Sequence, residues 1–388
     1  MKRVLHILNS LQRSGMEMML LCSYDEWVRA GYQCDILAVA TDVGLLSDEL
    51  ESAGYVIHHV PFRGRWRYFP DPGFLRNYWR LCRSGYDIVH VHTEAAALLF
   101  TVIAKLAGVQ SLAITPHNTF RFTGLLWMRK YLERAMIRMM GARYGMISDD
   151  VLHCEKELYD NEGVRTINWI NSDRYLPASE AQRLQARKRL GVADNAFLIV
   201  SVGNCNTAKN HPALLQAIAK VPSDISILYV HIGREPENHP ERDLASNLGI
   251  ADQVQFMGTQ QDPLPFLQAA DTFVMPSLWE GLGMAAIEAI AVGVPVLLTD
   301  TPGLREVASH TRHAVMVDPE ASSLAKGLEQ IARIPAADRH RMALIDSERI
   351  RQQFSIKMGV TSIVRGLYEP DRASMPDEQA EGCHGNNG

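Results

Sequence analysis

Apolar residues along this chain recur in two alternating rhythms, and the alternation predicts its elements. Residues 4–8 form a short, mostly apolar run, read as a buried strand, and residues 16–30 carry apolar side chains at helical spacing, with Gly31 placed as a C-cap. The exchange continues with strands at 34–40, 55–60, 88–92 and 112–115 and helices at 45–52, 74–83 and 95–107, the last closed by Gly108. It pauses over 168–180 and resumes, with strands at 197–202, 226–232, 254–257, 272–275 and 294–298 and helices at 212–219, 266–269 and 284–292. Strands separated by helices predict parallel sheets covered on both faces. Because the pattern runs twice, two doubly wound α/β domains are expected, spanning 1–175 and 176–350. A helix over 351–370 is expected to return to the first domain, and the polar, Gly/Asn-rich stretch 371–388 to be a disordered tail.

Composition adds little to this picture until charge is mapped along it. No apolar run reaches the ~18 residues that a membrane span needs. The charged-then-apolar start, Met1 to Leu8, mimics a signal peptide, but Asn9, Ser10 and Arg13 cut it short and no small-residue cleavage site follows, so it reads as the first strand. Six scattered cysteines without a C-x-x-C pair point to structural thiols in a reducing cytoplasm. Residues 61–145 hold 13 Lys/Arg against 4 Asp/Glu, whereas the remaining residues hold 26 against 40. A basic band on an otherwise acidic chain predicts a polyanionic neighbour. Three clusters make up the band: Arg63, Arg65 and Arg67 among Phe62, Trp66 and Tyr68; Arg76, Arg80 and Arg83; and Lys130, Arg134 and Arg138. The last three recur every fourth residue on a helix whose other positions include Leu125, Met128, Leu132, Met136 and Met139. The expected neighbour is an anionic membrane surface rather than nucleic acid, given the acidity of the rest.

In open α/β sheets ligands bind at the carboxyl ends of strands, so the loops there are the candidate chemistry. The segment Pro276-Ser277-Leu278-Trp279-Glu280-Gly281-Leu282-Gly283-Met284 runs from a strand into a helix whose free N–H groups would bind a diphosphate. Glycines 281 and 283 allow close backbone approach. Glu280 and Glu288 flank that anion site, where carboxylates make sense as acceptors for sugar and ribose hydroxyls. Either glutamate alone would read as a solvated side chain of an ordinary turn. The spacing of the pair favours function.

This segment resembles the hallmark of retaining glycosyltransferase family 4, S-x-x-E-G-x-G-x-x-x-x-E-A-x-A-x-G-x-P-V, matched at every fixed position from Ser277 to Val296. The resemblance, which spans residues 1 to about 368, implies the GT-B fold, two Rossmann-like domains facing each other across a cleft. It implies that Glu280 contacts the transferred hexose and Glu288 the ribose. Gly203 and Lys209 match the family's G-R-x-x-x-x-K loop that holds the donor diphosphate, but Asn204 stands where arginine is usual. Ser14-Gly15-Met16-Glu17 resembles the family's G-G-x-E, bringing Gly15 to the phosphates. Asp87-Ile88-Val89-His90-Val91-His92 resembles its D-[IV]-V-H-x-H strand, His90 reading as structural and His92 standing between the two roles. His117 is expected under the donor sugar, and Asn168 to Tyr175 resembles the interdomain linker with Trp169 in place of glycine.

The implied catalytic set is Glu280, His117 and Lys209. The implied donor set is Gly15, Gly203, Asn204, Lys209, Gly281, Leu282, Gly283, Met284 and Glu288. No Asp-x-Asp occurs, so neither a metal nor another cofactor is expected, and Asp149-Asp150 reads as a helix N-cap. The expected activity is transfer of a hexose or N-acetylhexosamine from a nucleotide-diphosphate sugar, UDP-linked in preference to GDP-linked, to a glycan acceptor. That acceptor is expected to be lipid-linked, in surface polysaccharide biosynthesis at the inner face of the cell membrane. The alternatives are a sugar-nucleotide epimerase of the same fold or a catalytically weak donor-binding subunit. The full G-x-G-x-x-G of a nicotinamide site is missing.

Overall fold

A computed structural model describes residues 1–62 and 71–369. Arg63, Arg65, Trp66, Arg67, Tyr68 and the tail lie outside the described residues.

The first half begins with β1 (Lys2–Leu8), α1 (Gly15–Leu21), α2 (Tyr24–Arg29), β2 (Tyr32–Ala38), α3 (Ser47–Ala53) and β3 (Val56–His59). It continues with α4 (Pro72–Cys82), β4 (Ile88–Val91), α5 (Ala97–Leu106) and β5 (Ser111–Ile114). It closes with α6 (Gly124–Met139), β6 (Arg143–Met146), α7 (Asp149–Tyr159) and β7 (Val164–Arg165). These strands form a parallel sheet ordered β3-β2-β1-β4-β5-β6-β7.

The second half starts with α8 (Glu180–Arg189), β8 (Phe197–Val202), α9 (His211–Ile218), β9 (Ile227–Ile232), α10 (Pro240–Asn247) and β10 (Val254–Phe256). Next come α11 (Leu264–Ala269), β11 (Thr272–Met275), α12 (Met284–Ala291), β12 (Val296–Thr299), α13 (Leu304–Ser309) and β13 (Val315–Val317). Its parallel sheet is ordered β10-β9-β8-β11-β12-β13, and α14 (Ala321–Arg333), α15 (Ala336–Gln353) and α16 (Ile356–Ile363) follow. Both sheets are buried on both faces, which is why their strands read as near-continuous apolar runs. In each, strand order reverses beside the first strand, at β1/β4 and at β8/β11. The loops leaving those four strands, with the loop after β5, line the candidate site.

Two local differences from the sequence pattern have clear causes. The single helix expected over 16–30 breaks between α1 and α2, because the Ser23 hydroxyl donates to Leu20 O and accepts from the indole of the fully buried Trp27. Such side-chain bonding offers the backbone an alternative to the helix ladder. At α7 it is Ser148, not Asp149 or Asp150, whose side chain caps, accepting from Val151 N at 3.1 Å. Asp150 instead accepts from Gly303 N in the other domain at 2.7 Å.

Helix α6 departs further from expectation. Lys130 and Arg134 are 5% and 3% exposed, so they do not form an outward basic face. Arg134 donates to both carboxylate oxygens of the buried Glu155, at 2.6 and 2.7 Å, and pairs with Glu94 at 3.2 Å. Lys130 pairs with Glu133 at 2.7 Å and Glu94 at 3.2 Å. The apolar positions of α6 face outward instead.

The chain crosses between the halves twice, side by side. Ile170 bridges Ser355, and its N–H donates to Phe354 O at 2.9 Å. Trp169 is buried, with its indole donating to Met19 O at 2.8 Å, and Gly359 of α16 leaves the room its ring needs. Beyond α16, the Tyr368 hydroxyl reaches His90 Nδ1 at 2.8 Å.

Candidate active site

A cleft of about 720 Å³ lies between the two sheets' carboxyl ends, lined by loops after β1, β4, β5, β8 and β11 and by the start of α12. Gly283 adopts φ +81° as the residue before α12, a backbone conformation that a Cβ would strain. Gly281 is required for another reason: a Cβ there would stand 2.0 Å from the carbonyl oxygen of His117 in the opposite domain. The two domains therefore meet backbone to backbone where the α12 loop crosses the cleft.

Glu280 sits in that loop with a single carboxylate oxygen accepting from Ser277 Oγ at 2.6 Å and from Lys209 Nζ at 2.7 Å. Lys209 ends a short turn and its own N–H donates to Asn206 Oδ1 at 3.1 Å, and a lysine ammonium has three donors, so pairing with Glu280 leaves it able to hold more than one anion. Asn204 also lines the cleft. Its Oδ1 accepts from Arg234 N at 2.9 Å, which ties the β8 loop to the β9 loop. Among the described residues lining the cleft, the basic side chains are Lys209 and Arg13. Arg13 comes from the first domain, pairs with Glu49, and donates to Gln261 O of the second domain at 3.2 Å.

Glu288 lies farther along α12 and is partly buried. Burial pushes its carboxyl up to about 7, opposed by a hydrogen bond from the Tyr175 hydroxyl and by the charge of Arg174.

His117 closes a row of imidazoles. Its Nε2 is 3.1 Å from His92 Nδ1, and His92 Nε2 is 3.0 Å from His6 Nδ1. Burial lowers His117 to about 4 and His6 to about 3, and holds His92 well below its ordinary value, so all three are neutral at physiological pH. Each neutral ring has one N–H, so both bonds must run in one direction, and the tautomer of His117 is coupled to that of His6. His90 stands outside the row, with both nitrogens taken by Tyr368 and Thr115 at 2.8 Å.

The structure thus gathers Gly15, Gly203, Asn204, Lys209, His117, Glu280, Gly281, Leu282, Gly283, Met284 and Glu288 around one cleft. Gly15 opens α1 and packs against Met284. Sequence reasoning missed Arg13, Tyr175 and His6 as parts of this site. Tyr175 ends the linker segment already singled out, and Arg13 directly precedes the Ser14–Glu17 loop. Nothing in the sequence joins His6 to His92.

Two trios, His6/His90/His92 and Cys205/His211/His231, have ligand-type atoms within 4.8 Å of one another. In the first, His90 has no free nitrogen. In the second, His231 Nε2 is held by Gly203 O at 2.9 Å. No helix among the described residues is long and apolar enough to cross a membrane.

Two facing parallel-sheet domains, with a helix start and a glutamate-lysine pair at their junction, define a glycosyltransferase of the GT-B architecture. The model named Glycosyltransferase Family 4 matches residues 13–147 and the one named Glycosyl transferases group 1 matches 182–348, and the chain belongs to this glycosyltransferase family. EpsF of Bacillus subtilis, named as a glycosyltransferase, is 28% identical over 311 residues, covering 77% of this chain and 79% of that protein. The UDP-Gal:alpha-D-GlcNAc-diphosphoundecaprenol alpha-1,3-galactosyltransferase of Escherichia coli is 27% identical over 283 residues, 70% of this chain and 73% of its own. A glycosyltransferase from Rickettsia africae superposes with a TM-score of 0.79 at 18% identity, over 94% of this chain and 97% of that one. HepE of Anabaena, solved with UDP and glucose, gives 0.75 at 17% identity, over 96% and 98%.

Proposed function

We propose that this chain is a retaining, metal-independent hexosyltransferase. It moves a hexose or N-acetylhexosamine from a nucleotide-diphosphate sugar, UDP-linked by preference, to a lipid-carried glycan in bacterial surface-polysaccharide assembly. The observation that carries this reading is the Lys209–Glu280 pair at the opening of α12, across the cleft from His117 and above Glu288. The α12 N–H groups and Lys209 address the negative charge that grows on the leaving diphosphate, as fixed electrostatics that need no reorganisation. Arg13 supplies the second cation that Asn204 cannot, and because it comes from the first domain it couples diphosphate binding to domain closure.

The reaction breaks the bond between the sugar's anomeric carbon and the phosphate oxygen. It forms a bond to the acceptor oxygen on the same face, and the acceptor proton passes to the departing phosphate. Glu280 and neutral His117 position the hexose; Glu288, steered by Tyr175, accepts from the ribose. The galactosyltransferase relative, named for a UDP donor and a diphosphoundecaprenol-linked acceptor, supports the donor and acceptor classes.

The test pairs two variants. Glu288→Ala weakens binding of UDP itself, since each hydrogen bond to a charged group contributes roughly 1.5–3 kcal/mol. Glu280→Ala leaves UDP affinity intact and abolishes transfer. Turnover in the presence of EDTA is expected to persist. Loss restored by manganese or magnesium would end the metal-independent reading, and nucleotide-sugar binding without transfer to any acceptor would favour a donor-binding subunit.

A further inference from the structure

Helix α6 is amphipathic with its faces reversed. Every exposed residue of Gly124–Met139 is apolar or glycine, while each of its charged residues is partly or wholly buried. The exposed set includes Leu125 at 81% and Met139 at 87%, joined by Met128, Leu132 and Met136 at helical spacing. Leu126 and Trp127 widen its first turn, where the Trp127 indole donates to Leu158 O at 2.9 Å. From Leu125 to Met139 the ridge spans fourteen residue-to-residue rises, about 21 Å at 1.5 Å per rise. This is a contiguous apolar surface that water does not reward, and patches of this kind mark interaction sites. Its geometry is fixed from beneath, because Lys130 and Arg134 are anchored to Glu94 and Glu155 on neighbouring segments. The helix therefore cannot roll to bury the ridge without unpairing those charges.

What covers the ridge is indicated by the charges beside it. Helix α5 packs against α6, and α4 packs against α5, on the same side of the sheet. Arg76, Arg80 and Arg83 at α4 and Lys105 on α5 are exposed, as is Arg121 just before α6. Apolar anchors beside a row of cations match an anionic bilayer, whose acyl boundary takes the first and whose headgroups take the second. The start of the ridge follows the His117–Phe120 segment that lines the cleft. Docking on α6 would thus bring the cleft mouth to the membrane surface.

We infer that the exposed ridge of α6 inserts into the headgroup boundary of an anionic membrane, with the α4 and α5 cations beside it. The inference rests on the reading of a lipid-carried acceptor for its purpose, but its geometry does not depend on that reading.

The experiment is sedimentation with phosphatidylglycerol vesicles and with phosphatidylcholine vesicles, at low and high salt. The parent is expected to bind phosphatidylglycerol and to retain part of that binding at high salt, since screening weakens charges and not apolar insertion. The triple variant Met128→Gln, Leu132→Gln, Met136→Gln is expected to lose roughly tenfold in vesicle affinity per replaced side chain. Its affinity for UDP and its melting temperature should match the parent. Arg76→Gln with Arg80→Gln and Arg83→Gln should remove only the salt-sensitive part. Parent-like sedimentation of the triple variant overturns the inference. So does a parent dimer in lipid-free solution that the triple variant splits, which would make a second copy the occupant. A protein that docks as expected yet never transfers to a lipid-carried acceptor sinks the acceptor reading alone and upholds the docking.

Discussion

Helices α6 and α12 both place charge inside the protein, and they treat it in opposite ways. In α6, Arg134 meets Glu155 in a two-pronged contact, Glu155 also accepts from Asn161 at 2.7 Å, and the guanidinium lies over the Tyr159 ring. Burial opposes the charge on Arg134, but the hydrogen bonds to Glu155 and the charge of Glu94 hold its guanidinium above the ordinary value. In α12, Glu288 has a tyrosine hydroxyl and the more distant charge of Arg174, and its carboxyl rises to about 7. The first charge is balanced by the protein and is structural. The second is left with less compensation at a cleft, which is what the proposed ribose contact requires.

The comparison can be broken first at α6. Arg134→Ala should cost about 3–5 kcal/mol, because it leaves the buried Glu155 without its cation. Urea unfolding measures this, and a loss near zero would mean that Arg134 is in fact a surface charge.

At α12 the opposite sign is expected. Below about pH 4, Glu288 is protonated in both folded and unfolded chains and contributes no difference. As pH rises past the ordinary carboxyl value, the unfolded chain releases its proton while the folded one holds it, a cost that is complete above about pH 7. Glu288→Gln should therefore be more stable than the parent at pH 8, by about 2–3 kcal/mol, and equal to it near pH 4. Denaturant midpoints at the two pH values decide it. The same variant should bind UDP more weakly, and parental binding should strengthen as pH rises through 7; a flat profile would detach Glu288 from the ribose.

Arg13→Gln should weaken UDP binding by roughly 1.5–3 kcal/mol if it contacts the diphosphate, a change that titration calorimetry resolves. The smallest effect is expected on the outer side of α6: Leu132→Ser should change stability by no more than about 0.5 kcal/mol. A larger loss would show that the ridge is covered within the folded chain.

The fold was readable because both sheets are buried on two faces, so their strands stand out as apolar runs separated by helical patterns. The α12 loop was readable because close backbone approach, helix start and carboxylates all demand particular residues at fixed spacing. What stayed hidden depends on contacts between distant segments. The row of His6, His92 and His117 joins three strands' ends, and the Trp169 pocket needs Gly359 nearly two hundred residues away. Helix α6 was misread for a different reason. Periodicity reports that a helix has two faces, but only the partners Glu94 and Glu155, on other elements, decide that the charged one points inward.

Trp169, Val360, Ile363 and Tyr368 share one apolar cluster with Val4, Trp27 and Ile36 of the first sheet's surroundings. That cluster is assembled from the two ends of the chain. During synthesis the first sheet can form early, but one of its faces stays uncovered until residues 360–368 have emerged. On the second sheet, one face is covered by a cluster drawn from Phe197 to Ile331 alone, which can close without waiting for those residues. The earlier-made domain must therefore pass through a stage with exposed aromatic surface, the part of the molecule most in need of protection from aggregation.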